Sequence, residues 1–181
     1  MPDCGVCALG DFMGFIYLYT GNGAGKTSNA LGLALRSVGH GHKVIMIQFM
    51  KSWKNTGEFK IQTKLKNLYE VHLFGRKKWV DPKNPSPQDR KIARKGLEFA
   101  ETALKEKPNL LILDEICLAC AWKLLEVDEV VDLLKKIPSK TDVVLTGRNA
   151  PKELIDRADF VNEIVDVKHP KKIPATKGIQ Y

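Results

Sequence analysis

The stretch Phe15-Ile-Tyr-Leu-Tyr-Thr20-Gly21-Asn22-Gly23-Ala24-Gly25-Lys26-Thr27 opens on an apolar, β-branched run and closes on a glycine-rich turn. The run reads as a buried strand. Lys26 to Val38 follows with Ala30, Leu31, Leu33, Ala34, Leu35 and Val38 on helical spacing, and Gly39 stands where a helix stop is expected. Strand, glycine loop and helix in that order are the context a phosphate-binding loop requires. Glycines let successive backbone N–H groups converge on phosphate oxygens, and the helix N-terminus adds partial positive charge. On this reading Thr20, Gly21, Asn22, Gly23, Ala24, Gly25 and Ser28 frame the phosphates, Lys26 reaches them, and the Thr27 hydroxyl binds Mg²⁺. The usual first glycine of such a loop is Thr20 here. The competing reading is a glycine-rich turn that binds nothing.

Lys43 to Phe49 reads as a second strand after a tight Gly39-His-Gly-His42 link, which makes a β-α-β unit with parallel strands. A polar loop from Met50, a weaker helix over Gly57 to Lys66 and a short strand over Tyr69 to Phe74 come next. Gly75 to Pro87 carries Arg76, Lys77, Lys78, Trp79 and three prolines, a long loop of the kind that has a functional reason to exist. Ser86-Pro87-Gln88-Asp89 then opens a helix to about Lys105, with an N-cap serine, a proline at the first helical position and an acid in the first turn. Beyond it the pattern predicts a buried strand over Asn109 to Asp114, helices over Ala119 to Leu125 and Val127 to Lys136, and a strand over Asp142 to Thr146. A helix over Pro151 to Ala158 and a strand over Phe160 to Val167 complete the series. The expected architecture is α/β, a mostly parallel central sheet with helices on both faces. Residues 1–181 form one expected domain, with 1–14 as an N-terminal arm and 168–181 as a polar tail.

With 181 residues, 44% of them hydrophobic, the chain is large enough for one sizeable core and leaves little for a second. Its net charge of +8 favours anionic partners, among which nucleotide phosphates, nucleic acid and acidic lipid are the candidates. Nucleic acid is the weaker of these, because no base-stacking aromatic ladder or recognition helix is evident. No apolar run approaches the roughly 20 residues of a membrane helix. Asp3 and Asp11, with no basic residue ahead of an apolar run, do not fit a secretory signal, so the cytoplasm is the expected compartment.

A second chemical signal is Leu110-Leu-Ile-Leu-Asp114-Glu115, an apolar strand that delivers two adjacent carboxylates at its C-terminal end, where the ligand crevice of a parallel sheet lies. Asp114 can hold Mg²⁺ through water, and Glu115 is placed to be a second metal ligand or a base; strand-end carboxylates also serve as simple helix caps. Lys51, after Gln48-Phe49-Met50, and Arg148, after Thr146-Gly147, put a basic residue on the same edge. They can neutralise phosphate or merely end strands in solvent. Cys4-x-x-Cys7 and Cys117-x-x-Cys120 have the two-by-two spacing of a zinc or iron–sulfur site, with about 110 residues between the halves. The other reading is packed or free thiols.

The order of motifs is specific as a whole: Thr20-Gly-Asn-Gly-x-Gly-Lys-Thr27, Gly39-His-Gly41, Gln48-Phe-x-Lys51 and Leu113-Asp-Glu-Ile116, then Leu145-Thr-Gly-Arg-x-Ala-Pro151, Ala158-Asp159, Lys168-His-Pro170 and Gly178-Ile-x-Tyr181. From about Phe15 to Tyr181 it resembles the phosphate-loop type of ATP:corrinoid adenosyltransferase. The resemblance implies a RecA-like fold, usually a homodimer, that transfers the 5′-deoxyadenosyl group of ATP to the cobalt of a Co(I) corrinoid and releases triphosphate. It casts Lys26 and Glu115 in the catalytic roles, with Thr27, Asp114 and Glu115 around Mg²⁺ or Mn²⁺ and Arg148 on phosphate. Phe49, Arg76 and Trp79 are its corrinoid contacts, and a corrinoid reductase is the implied partner.

The chain departs from the family pattern at three places. Ala24 stands where a second loop lysine is common. Gly75-Arg-Lys-Lys-Trp79 replaces a Gly-x-Gly-Phe sequence, and Cys117 and Cys120 follow the carboxylate strand where Asn or another small residue is more usual. The competing functions are a RecA-like ATPase or nucleotide kinase, with Glu115 activating water or a hydroxyl, and a non-catalytic carrier of ATP or corrinoid.

Overall fold

The computed structural model describes residues 14–170 and 172–180. Six strands, β1 (Ile16–Thr20), β2 (Val44–Phe49), β3 (Tyr69–Phe74), β4 (Leu110–Asp114), β5 (Asp142–Thr146) and β6 (Phe160–Glu163), form one sheet in the order β3-β2-β4-β5-β1-β6. All its pairings are parallel, which is stricter than the mostly parallel expectation. Because every strand runs the same way, the ends of β1, β2, β4 and β5 open on one edge. The chain leaves β1 and returns three strands over at β2, with β5 and β4 filling the gap, and ligands bind at such a topological switch.

Helices α1 (Lys26–Gly39) and α2 (Gly57–Leu65) cover one face, and α3 (Pro87–Lys105), α4 (Ile116–Ala121), α5 (Val127–Leu134) and α6 (Lys152–Arg157) cover the other. Strand alternation divides the core between them. Val44 and Met46 of β2 pack with Ala30 and Ala34 of α1, whereas Ile45, Ile47 and Phe49 pack with Ala93 and Ala100 of α3. A strand buried on both faces is dominated by apolar residues, as β2 is, with Gln48 its one polar member. The start of α3 carries the anticipated cap in full: Ser86 and Asp89 form a reciprocal capping box with Pro87 at the first helical position.

Element boundaries differ most from the sequence reading at α4, which ends at Ala121 rather than Leu125, and at β6. Helix α4 starts at Ile116, three residues early, because Glu115 takes a left-handed conformation (φ 64°) that turns the chain from strand to helix in a single residue. Strand β6 stops at Glu163 rather than Val167, because its partner β1 ends at Thr20, which pairs with Glu163. The chain beyond β6 then crosses the glycine loop: Ile164 N–H donates to Thr20 O at 2.9 Å, and its carbonyl accepts from Gly23 N–H at 2.8 Å. A side chain at Gly23 would collide with this strap, since a Cβ there would lie 2.7 Å from Val165 C.

Candidate active site

The loop between β1 and α1 lines an open cavity of about 530 Å³ with Asn22, Gly23, Ala24, Gly25, Lys26, Thr27 and Ser28, joined by Arg148 and Asn149. Lys26 is buried and folds back on the loop, donating to Gly21 O at 2.8 Å and Gly23 O at 2.6 Å. Burial, and then the neighbouring Arg148, lower its pKa, so an arriving polyanion would find two cations already drawn together. The Thr20 hydroxyl accepts from Ala150 N–H at 3.4 Å and ties the loop to the end of β5. Asp166 carries the strap onto the loop: its carboxylate accepts from Ala24 N–H at 3.0 Å.

Asp114 is fully buried at the end of β4 and is the hub of the site. Oδ1 accepts from the hydroxyls of Thr27 and Thr146, each at 2.8 Å, and Oδ2 accepts from Lys51 Nζ at 2.7 Å and Gln48 Nε2 at 3.0 Å. Burial alone would raise this carboxyl, but Lys51 and the hydroxyls of Thr146 and Thr27 hold it below its ordinary value. The adjacent Glu115 has the opposite environment. Burial, and then the charge of Asp114, raise its pKa, and its Oε2 is buried with no hydrogen-bond partner among the described residues. Two neighbouring carboxylates are thereby assigned to opposite protonation tendencies, a pattern typical of reactive sites. Thr146 serves both, since its hydroxyl also accepts Glu115 N–H at 2.9 Å.

The Thr27 hydroxyl, the Asp114 hub and the free Glu115 oxygen form a hard oxygen donor set that suits Mg²⁺ or Mn²⁺. They are too few to enclose an ion alone, and among the described residues no group of three or more His, Cys, Asp or Glu could hold one. A metal seated here would complete its shell with nucleotide phosphates and water, as Mg²⁺ commonly does.

A second cavity, of about 350 Å³, adjoins the first and shares Trp79, Glu115, Leu118 and Trp122 with it. All three tryptophans of the chain, Trp53, Trp79 and Trp122, line it. Phe49 supplies buried apolar wall, and Lys51, Arg76, Lys77 and Lys78 give it a basic side. Arg76 is committed to Asp89 and Ser86, whereas Lys77 and Lys78 enter no ion pair among the described residues. Gln180, in the polar tail, reaches the same cavity.

Among the anticipated residues, Asn22 to Ser28, Arg148, Glu115, Phe49, Arg76 and Trp79 line the two joined cavities, with Asp114 sealed behind Glu115 and Thr20 and Gly21 outside the lining. Cys117 and Cys120 line neither cavity. They are buried in the core, where burial pushes both thiols up, Cys120 to about 12, which disfavours the thiolates a metal needs. Cys4 and Cys7 lie outside the described residues. In the sequence Thr146 and Gln48 stand inside motifs with no sign of their own role, and Trp53, Trp122 and Asp166 carry no motif at all. Their places depend on which strand ends and loops meet.

Fold and site together define a RecA-like phosphate-loop protein with an aromatic cavity beside the nucleotide corner. The fold alone is shared with a flagellar accessory protein, FlaH, from Methanocaldococcus jannaschii, with a TM-score of 0.54 and 14% identity over 83% of this chain and 71% of that one. The sequence goes further. Residues 13–181 match the profile of the family described as ATP:corrinoid adenosyltransferase BtuR/CobO/CobP. A corrinoid adenosyltransferase of Escherichia coli K12 is 34% identical over 99% of this chain and 91% of its own length. One from Pseudomonas aeruginosa is 34% identical over 94% and 85%, and CobA of Salmonella typhimurium is 32% identical over 99% and 91%. The chain belongs to the ATP:corrinoid adenosyltransferase family.

Proposed function

We propose that this protein transfers the 5′-deoxyadenosyl group of ATP to the cobalt of a Co(I) corrinoid and releases triphosphate. The observation that carries this reading is the shared wall of the two cavities: a phosphate-binding loop opens beside a cavity lined by three tryptophans, with Glu115 on the seam. A generic ATPase or kinase has no need of that aromatic cavity, and the family membership points the same way.

In this reaction the cobalt supplies an electron pair to the ribose 5′ carbon, a cobalt–carbon bond forms, and the bond from that carbon to the triphosphate oxygen breaks. The protein needs no covalent nucleophile. Its task is to stabilise negative charge gathering on the leaving group, in a site that excludes water. Lys26, Arg148 and the loop N–H groups meet that charge, with Lys26 released from Gly21 O and Gly23 O as phosphate arrives. Thr27, Asp114 and Glu115 would hold Mg²⁺ or Mn²⁺, which supplies further charge neutralisation. Trp79, Phe49 and Arg76 would bound the corrinoid.

Three further features belong to this reading. Co(I) must be generated by an electron donor, so a corrinoid reductase is the proposed partner. The edge strand β6 leaves Phe160 and Val161 exposed, which supports a homodimer formed through that edge. No helix of the described residues is long and apolar enough to cross a membrane, and the cytoplasm is the proposed compartment, where ATP is at hand.

An anaerobic assay with ATP, Mg²⁺ and chemically reduced cob(I)alamin tests the proposal. Expected are a light-sensitive cobalt–carbon product and stoichiometric triphosphate, with the rate lowered by about 100-fold or more in Lys26→Ala. Phosphate release without that product would refute it in favour of an ATPase.

A further inference from the structure

The loop from Met50 to Thr56 joins β2 to α2 and contributes Lys51, Ser52, Trp53 and Thr56 to the aromatic cavity. Its course is tightly held. Met50 adopts a left-handed turn (φ 59°) and donates its N–H to Phe74 O at 2.8 Å. Gly75 then lies directly against the loop, since a Cβ there would stand 2.4 Å from Lys51 N and from Met50 C. No residue larger than glycine fits at that crossing.

On this fixed loop, two hydroxyls lack partners. Among the described residues, the buried side-chain oxygens and nitrogens without a hydrogen bond are Ser52 Oγ, Thr56 Oγ1 and Glu115 Oε2. All three belong to residues that line the same cavity. A buried polar atom without a partner is costly and uncommon, so two hydroxyls and a carboxylate oxygen around one cavity call for a cause.

Thr56 makes the point sharper. It is the N-cap residue of α2, and threonine is favoured there because its hydroxyl can accept from the first helical N–H groups. Here the backbone has the usual extended cap geometry (φ −75°, ψ 154°), yet the side chain makes no capping bond. The hydroxyl is therefore available to something other than the helix.

We infer that Ser52 and Thr56 are specificity-determining residues that hydrogen-bond the primary carboxamide groups on the rim of the corrinoid, an inference that rests on the function proposed above. A hydroxyl both donates and accepts, as does a carboxamide, whereas a carboxylate rim would be better met by cations such as Lys77 and Lys78. Both residues line the cavity, and a change of χ1 rotamer is the movement by which each hydroxyl would be presented to an occupant. Trp53, 60% exposed between them, offers an apolar face to the ring at the same place.

The test compares Ser52→Ala, Thr56→Val and Thr56→Ser with the unaltered protein, using ATP, Mg²⁺ and chemically reduced cob(I)alamin, whose rim is amidated. Each hydroxyl deletion is expected to raise the corrinoid KM about 5- to 10-fold and leave the ATP KM unchanged. Thr56→Ser is expected to restore the corrinoid KM. In the ligand-free protein, neither deletion lowers Tm, and a rise of a few degrees is expected because a buried, unpaired hydroxyl has been removed. An unchanged corrinoid KM, or a Tm that falls on deletion, would overturn the inference and make the hydroxyls structural. If the unaltered protein turns over no corrinoid and its tryptophan emission is not quenched by cob(II)alamin, the proposed function fails and this inference with it. If turnover is normal but the deletions are silent, the inference alone fails.

Discussion

Lys51 Nζ stands 2.7 Å from Asp114 Oδ2, so the carboxylate at the centre of the nucleotide site is neutralised by a residue that also lines the neighbouring cavity. The two form a charge pair with unequal exposure: Asp114 is sealed, and the Lys51 side chain is 34% exposed. Removing the lysine strands a buried carboxylate, which in a sealed pair costs about 3–5 kcal/mol. Solvent at Lys51 reduces this, and Lys51→Met is expected to destabilise the ligand-free protein by about 2–3 kcal/mol in urea unfolding. The double variant with Asp114→Asn should recover part of the loss, since no charge is then left unpaired. Additive effects would show that the pair is not coupled.

The phosphate loop is already engaged by its own chain. Asp166 holds Ala24 N–H, and Ile164 holds Gly23 N–H, so a phosphate approaching this part of the loop meets a carboxylate in its way. Asp166→Ala removes one like-charge obstacle while leaving the backbone strap intact. The expected result is ATP and triphosphate binding tightened by about 3- to 10-fold in calorimetry, corresponding to about 0.7–1.4 kcal/mol. Slower product release is expected alongside. Weaker binding instead would mean that Asp166 orders the loop for phosphate rather than obstructing it.

The parts of this molecule legible in its sequence are those where a local signal and a tertiary need coincide. Phe15 to Thr27 carries strand pattern, turn glycines and helix pattern in succession, and Ser86-Pro87-Gln88-Asp89 spells out its own cap. Helix α4 was placed three residues late because its start depends on the left-handed turn at Glu115, and a glutamate gives no advance sign of positive φ. Trp53 and Trp122 lie in unrelated segments and line one cavity only because the loop after β2 and the end of α4, the helix that follows β4, come together at one edge of a parallel sheet. Thr146 was visible as a motif letter, but its bridge between Asp114 and Glu115 depends on β5 lying beside β4, a long-range pairing that no local pattern encodes.

Asp89 links the start of α3 to the basic wall of the aromatic cavity. It accepts from Arg76 at 2.7 Å and from Ser86 N–H at 3.1 Å, and these contacts, the Arg76 bond foremost, lower its pKa from the ordinary 3.8 to about 2. The folded state therefore binds this proton less readily than the unfolded chain. The stabilisation is fully present above 3.8 and disappears as pH falls through about 2. Asp89→Asn also disrupts the capping box and is expected to cost about 1–2 kcal/mol near neutral pH. The gap between the two proteins should close along the acid limb of a pH series of urea unfolding curves. A gap that is constant down to the lowest pH would assign the loss to capping alone.

Glu115 has the opposite sign. Burial, and then Asp114, raise its pKa above the ordinary 4.5, so the folded state holds this proton more tightly than the unfolded chain does. Its contribution favours folding below 4.5 and is lost as pH rises through the raised value, which leaves a buried charge to be carried at higher pH. Glu115→Gln removes that charge. The ligand-free variant is expected to melt above the unaltered protein at about pH 8, with the difference shrinking steadily toward about pH 5. Mg²⁺ and ATP together should reverse the order at high pH, because the charge that burdens the empty site is the one that would hold the metal, and the variant then gains less from ligand. Thermal melts at several pH values, with and without Mg²⁺ and ATP, separate the two effects. A variant less stable than the unaltered protein in the ligand-free state at high pH would show that Glu115 is bound by partners the free Oε2 does not suggest. Equal stabilisation of both proteins by Mg²⁺ and ATP would remove Glu115 from the metal corner and leave Thr27 and Asp114 to hold the ion.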